Sequence, residues 1–139
     1  MATDNQPTPS STKKFRRQKT RNFGLAMSRD FGLALYDPQR SRLFDPRDRV
    51  DINVELGDGT QVPYLNARLL SGLFDQPDPR YPWLIIKRAE HHCIQANFAP
   101  NVPVLIEHRS AGSDRHFRAT TDDREVARNI LWNCDRWNP

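Results

Sequence analysis

From residue 50 onward, apolar and polar positions alternate in short blocks. Val50, Ile52, Val54 and Leu56 alternate with Asp51, Asn53 and Glu55, which predicts a strand buried on one face. Gly57-Asp58-Gly59 predicts a turn. Thr60-Gln61-Val62 returns from it, and Pro63 keeps that strand short or at an edge. Residues 66–74, NARLLSGLF, read as a short helix, and the proline-rich stretch 75–82 as a rigid connector. Strands follow at 83–89 and 93–98, with Glu90-His91-His92 near their turn. Segments 104–109 and 115–120 then form a hairpin across a five-residue loop. A helix from about Asp122, capped by Thr121 or Asp122, carries an apolar stripe of Val126, Ile130, Cys134 and Trp137, with Ala127 and Leu131 beside it. Together these elements predict a small α+β domain: a mostly antiparallel sheet of four to six strands with a C-terminal helix packed on it.

The first third follows another pattern. Arg21-Asn22-Phe23-Gly24-Leu25-Ala26-Met27-Ser28 is followed at once by Arg29-Asp30-Phe31-Gly32-Leu33-Ala34-Leu35-Tyr36. An eight-residue period is even, so it preserves strand phase. Phe23, Leu25, Met27, Phe31, Leu33 and Leu35 then share one face, with Arg29 the one cation among them. The same residues offer a helical stripe at Phe23, Met27, Phe31 and Leu35. That helix would hold two interior glycines at about 1 kcal/mol each, so the pattern favours extended structure. Such a strip could pair with the domain's own sheet or add a strand to a neighbouring chain.

Charge divides the chain at the same place. Residues 1–49 hold 11 Lys/Arg and 5 Asp/Glu, a net of +6; the remaining 10 and 12 give residues 50–139 a net of −2. The densest block is Lys13-Lys14-Phe15-Arg16-Arg17-Gln18-Lys19-Thr20-Arg21. Such a block repels itself and stays extended alone, and it gains counterion-release free energy against a polyanion. Lys13, Lys14, Arg16, Arg17, Lys19 and Arg21 are the candidate phosphate contacts, and Phe15 a candidate stacking residue. The plainer alternative is a solubilising tail. Residues 1–12 are small, polar and unable to bury much apolar surface. The longest aliphatic run, Leu84-Ile85-Ile86, supports neither a membrane span nor a secretion signal. Cys93 and Cys134 fit buried thiols in a reducing compartment.

Catalytic patterns are weak. If Arg109 opposes Arg115, then His108, His116 and Arg118 share a face, and two imidazoles with a guanidinium could cleave an RNA phosphodiester. Val104 and Ile106 would share that face, which makes it look packed. His91-His92-Cys93 has metal-binding composition without metal-binding spacing. No nucleophile elbow, phosphate loop, dinucleotide turn or paired-carboxylate signature is present.

The expected architecture is therefore an extended basic arm over 1–49 and an α+β domain over 50–139. The expected role is binding without enzymatic activity, metal or cofactor. In the leading expectation the chain is a nucleic-acid-associated subunit of a larger assembly. Its arm contacts RNA or DNA backbone, and Phe23, Leu25, Met27, Phe31, Leu33 and Leu35 dock on a protein partner. It would act in the cytoplasm, or inside a virion or ribonucleoprotein-like particle, as an oligomer or complex member and away from membranes. The alternatives are a purely structural assembly subunit laced by its arm, or, less favoured, a small ribonuclease.

Overall fold

The alternating blocks of the second half close into one antiparallel sheet. In the computed structural model, residues 10–89, 92–109 and 116–134 are described. The elements run α1 (Ser10–Phe31), β1 (Leu35–Asp37), β2 (Arg42–Phe44), β3 (Asn53–Leu56), β4 (Gln61–Val62), α2 (Ala67–Asp75), β5 (Trp83–Ala89), β6 (His92–Asn97), β7 (Val104–Arg109), β8 (His116–Thr121) and α3 (Arg124–Cys134). β1 and β2 form a hairpin of their own. The six-stranded sheet has the order β4-β3-β5-β6-β7-β8. The fold is α+β, with a C-terminal helix on an antiparallel sheet, as the alternation predicts.

Period-two patterning sorts the sheet into two faces. Val54, Leu56, Leu84, Ile86, Ile94, Ala96, Val104 and Ile106 are buried under α2 and α3. Leu69, Leu70, Leu73 and Phe74 of α2 close over them, and Phe74 stacks on Phe98 with ring centroids 4.8 Å apart. Ala127 and Leu131, not Val126 and Ile130, turn α3 into the core; the latter two are exposed. That inverts the expected order along the stripe. Trp137 lies outside the described residues.

The C-terminal helix is capped by Asp123 and not by Thr121 or Asp122 as expected. The Asn66 side chain accepts from Leu69 N (2.9 Å) and starts α2. Its amide also donates to the carbonyls of Asp45 and Arg47 (2.7 and 2.9 Å). Asp123 starts α3 by accepting from Glu125 N and Val126 N (3.0 and 3.2 Å). Thr121 Oγ1 accepts from Asp123 N, two residues on (3.1 Å). The Tyr64 ring is fully buried, and its hydroxyl has no hydrogen-bond partner among the described residues. Burial, helped by the Asp45 carboxylate, pushes that phenol up to about 12.

The extended reading of the repeat is overturned. Residues 10–31 form α1, a helix about 33 Å long. Its first copy, 21–28, is helical throughout, and its second copy ends the helix. Gly32 adopts φ +66°. Gly32 N donates to Arg29 O (3.3 Å) and Leu33 N to Ser28 O (2.9 Å), a Schellman terminus. Only Gly24 is therefore an interior glycine. A Cβ added there would sit 3.5 Å from Leu35, so the position also marks a close approach of helix and hairpin.

The helical periodicity was hidden because the inward face of α1 is mostly polar. Gln18, Arg21, Asn22, Leu25, Ser28 and Arg29 face the body. Asn22 Oδ1 accepts from Gln61 N on edge strand β4 (2.9 Å), and Arg29 donates to Pro63 O (3.4 Å). Gln18 Nε2 donates to Gly59 O. α1 thus covers a sheet edge that would otherwise offer unpaired backbone groups. Residues on both sides of position 49 build one core: Leu25 and Phe44 share it with Val54 and Leu84, and Val50 bridges Leu65.

Candidate functional site

Three regions bear on function: the length of α1, the ion cluster beneath it and the open face of the sheet. α1 carries the basic block on its N-terminal turns. Lys13, Lys14, Phe15, Arg16 and Arg17 are helical, and their side chains lie outside the described set. Lys13 to Lys19 span about two turns. Lys19 is exposed.

Arg21, the last cation of the block, is engaged inside the chain. Its side chain is 10% exposed; Nε lies 3.1 Å from Asp37 Oδ2, and Nη1 lies 3.8 Å from Asp58 Oδ2. Nη1 also donates to Thr60 Oγ1 (3.0 Å). Arg40 continues the cluster, pairing with Asp58 (2.9 Å) and Asp78 (3.2 Å). Arg42 donates to the Gln76 carbonyl (2.8 Å), and burial pulls its guanidinium below the ordinary arginine value. This cluster ties α1, the β1–β2 hairpin, the β3–β4 turn and the proline-rich connector together. Arg21 is therefore a structural cation and is not presented to phosphate.

The six apolar residues of the repeat divide in the same way. Leu25 is fully buried, and Leu35 packs partly against the core. Phe23, Met27, Phe31 and Leu33 are 68, 41, 67 and 63% exposed. Phe23, Met27 and Phe31 are four residues apart and form one outward row on the helix.

The two-histidine site does not form. Arg109 opposes His116, and His108 opposes Phe117. The expected hairpin register was off by one, which moves a residue to the other face. His108 continues the Val104–Ile106 face and stacks on Phe117 with centroids 6.3 Å apart. Burial, with a contribution from His92, holds its imidazole below the ordinary histidine value. His116 lies on the opposite, open face, 3.0 Å from Glu107. Phe117 shares the His108 face and is 63% exposed, so its burial does not account for this register. Arg115 and His91 lie outside the described residues. Cys93 is half-buried on the open face. Among the described residues, no group of three His, Cys, Asp or Glu side chains converges as metal ligands, and no helix is long and apolar enough to cross a membrane.

The open face of the sheet is the region that sequence reasoning missed. Asn53, Lys87, Cys93, Arg109 and His116 are successive partners across β3, β5, β6, β7 and β8. They line a shallow groove of about 550 Å³ with Arg88, Gln95 and Glu107. The signal was available only through register: these five residues are scattered between positions 53 and 116 of the sequence. No protein-family model, no curated protein and no solved structure matches the chain.

Proposed function

We propose that the protein is a non-enzymatic, nucleic-acid-associated subunit of a larger assembly, with α1 as its working element. The observation that carries this reading is the division of labour along one helix. Five cations, Lys13, Lys14, Arg16, Arg17 and Lys19, fall within about two turns at its N-terminal end, where they suit the phosphates of RNA or DNA. Phe15 sits among them and suits stacking on a base. Phe23, Met27, Phe31 and Leu33 further along suit an apolar protein partner in the same particle. Leu25 and Arg21 fix the helix to the body, so both functions are held at a set distance. A virion or ribonucleoprotein-like particle, or the cytoplasm, suits such a subunit.

The competing reading is a purely structural subunit. The outward row Phe23–Met27–Phe31 favours it, because that row needs a protein and not a nucleic acid. Salt dependence separates the two. Binding of a labelled mixed-sequence RNA should be followed by anisotropy over a salt series, for the native chain and for Lys13→Gln/Lys14→Gln/Arg16→Gln/Arg17→Gln. Glutamine keeps the helix and removes the charge. The log–log salt slope of the variant should be shallower by about 3, at roughly 0.7–0.9 per lost phosphate contact. A salt-insensitive native chain, or a variant with the native slope, removes the nucleic-acid reading and leaves the structural one.

A further inference from the structure

We propose that the groove on the open sheet face is a phosphate-binding site separate from α1, centred on Arg88 and Arg109. Arginine partners supply the first argument. Every other arginine with a described side chain has an oxygen partner: a carboxylate, as for Arg21, Arg40 and Arg118, or a backbone carbonyl, as for Arg42 and Arg124, among others. Arg88 and Arg109 have no hydrogen-bond or ion-pair partner among the described residues, and both line this groove. Two guanidinium forks with no counter-charge among the described residues, both lining one groove, form an oxyanion site by composition.

The two described carboxylates on this face, Glu55 and Glu107, do not cancel them. Glu55 Oε1 takes the Lys87 ammonium (2.8 Å) and the Gln61 amide (3.0 Å), and the Lys87 bond holds Glu55 below the ordinary carboxylate value. Glu107 Oε2 takes His116 Nε2 (3.0 Å) and Arg118 Nη2 (3.3 Å). Each acid is already committed to a cation, and these bonds hold the flanks of the groove in place.

Geometry supplies the third argument. Lys87, Cys93 and Arg109 are direct neighbours across three strands, so Lys87 and Arg109 stand about 10 Å apart at their backbones. The small Cys93 between them leaves room for a tetrahedral anion, with long cationic side chains on both flanks. Asn53 and Gln95 add neutral amide donors. A volume of about 550 Å³ exceeds one phosphate and suits a phosphate carried on a larger ligand. A phosphodiester of single-stranded nucleic acid and a phosphorylated small molecule share this chemistry.

Cys93 provides the test. Its alkylation by N-ethylmaleimide, read on the Cys93 peptide by mass spectrometry, should be followed in the full chain with inorganic phosphate, uridine monophosphate or a short oligouridylate. Saturable protection of Cys93 is expected, weakened about tenfold by Arg88→Gln or by Arg109→Gln. Both positions are exposed, so the variants should melt with the native chain. The glutamine variant of α1 should be protected as well as the native chain, which separates this site from the role of the helix. Protection by oligouridylate at far lower concentration than the mononucleotide identifies a nucleic-acid backbone as the source. The reverse order identifies a small phosphorylated ligand. No protection by any of the three probes, or protection that survives Arg88→Gln/Arg109→Gln, overturns the proposal.

Discussion

Replacing Leu25 by alanine should destabilise the protein by about 2–5 kcal/mol, while Leu33→Ala should cost less than about 0.5 kcal/mol. The two leucines hold the same place in the repeated phrase, Phe-Gly-Leu-Ala. Leu25 is fully buried among core residues that include Phe44 and Val54; Leu33 follows the helix terminus and is 63% exposed. Truncating the first removes transfer free energy and leaves a cavity beneath α1. Truncating the second removes a side chain already in water. Urea unfolding of both variants measures the difference. Equal costs would mean that the two copies are structurally equivalent, as in an extended strip, and that α1 does not dock through Leu25.

Asp58→Ala should be comparably damaging, at about 3–5 kcal/mol, for an electrostatic reason. The Asp58 side chain is 7% exposed and faces two guanidiniums, Arg40 at 2.9 Å and Arg21 at 3.8 Å. It also orders its own turn, since Oδ1 accepts from Thr60 N (2.9 Å). Removing it strands two cations with Asp37 and Asp78 as their remaining counter-charges. Asp58→Asn keeps the turn's hydrogen bond and loses the charge, so it should fall between the native chain and the alanine variant. Denaturant midpoints for the three proteins check this order. An asparagine variant as stable as the native chain would show that the turn, not the ion cluster, carries the effect.

The second half of the fold was legible because its elements obey simple periods. β5 and β7 appear at the residues their alternation predicts, and Asn66 caps α2 where a polar residue precedes an apolar run. The β7–β8 register is offset by one from the expected pairing because six positions, 110–115, separate Arg109 from its partner His116, and nothing in the hairpin's apolar pattern marks that extra residue. α1 was misread for a deeper reason. Hydrophobic periodicity assumes that the apolar face is the buried one. Here the inward face holds Arg21, Asn22, Ser28 and Arg29 beside a single leucine, and the apolar row faces outward. The partners that make this stable, Asp37, Asp58, Gln61 and Pro63, lie 16 to 39 residues away from theirs and leave no local signal. Of the candidate site, the basic block and the outward aromatics were visible as composition. The burial of Arg21 and Leu25 was not, and neither was the cationic row across the open sheet, which exists only once five strands are paired.

The account rests on α1 being a helix fixed to the body, and backbone hydrogen exchange of the full chain tests that most directly. The amides of residues 25–28 should exchange only with global unfolding in the free protein. Added RNA should slow exchange over residues 13–19 and leave 25–28 unchanged. Exchange at open-chain rates across 21–31 in the free protein would contradict the account, because the repeat would then be an extended arm and the two ends of α1 would not be held together.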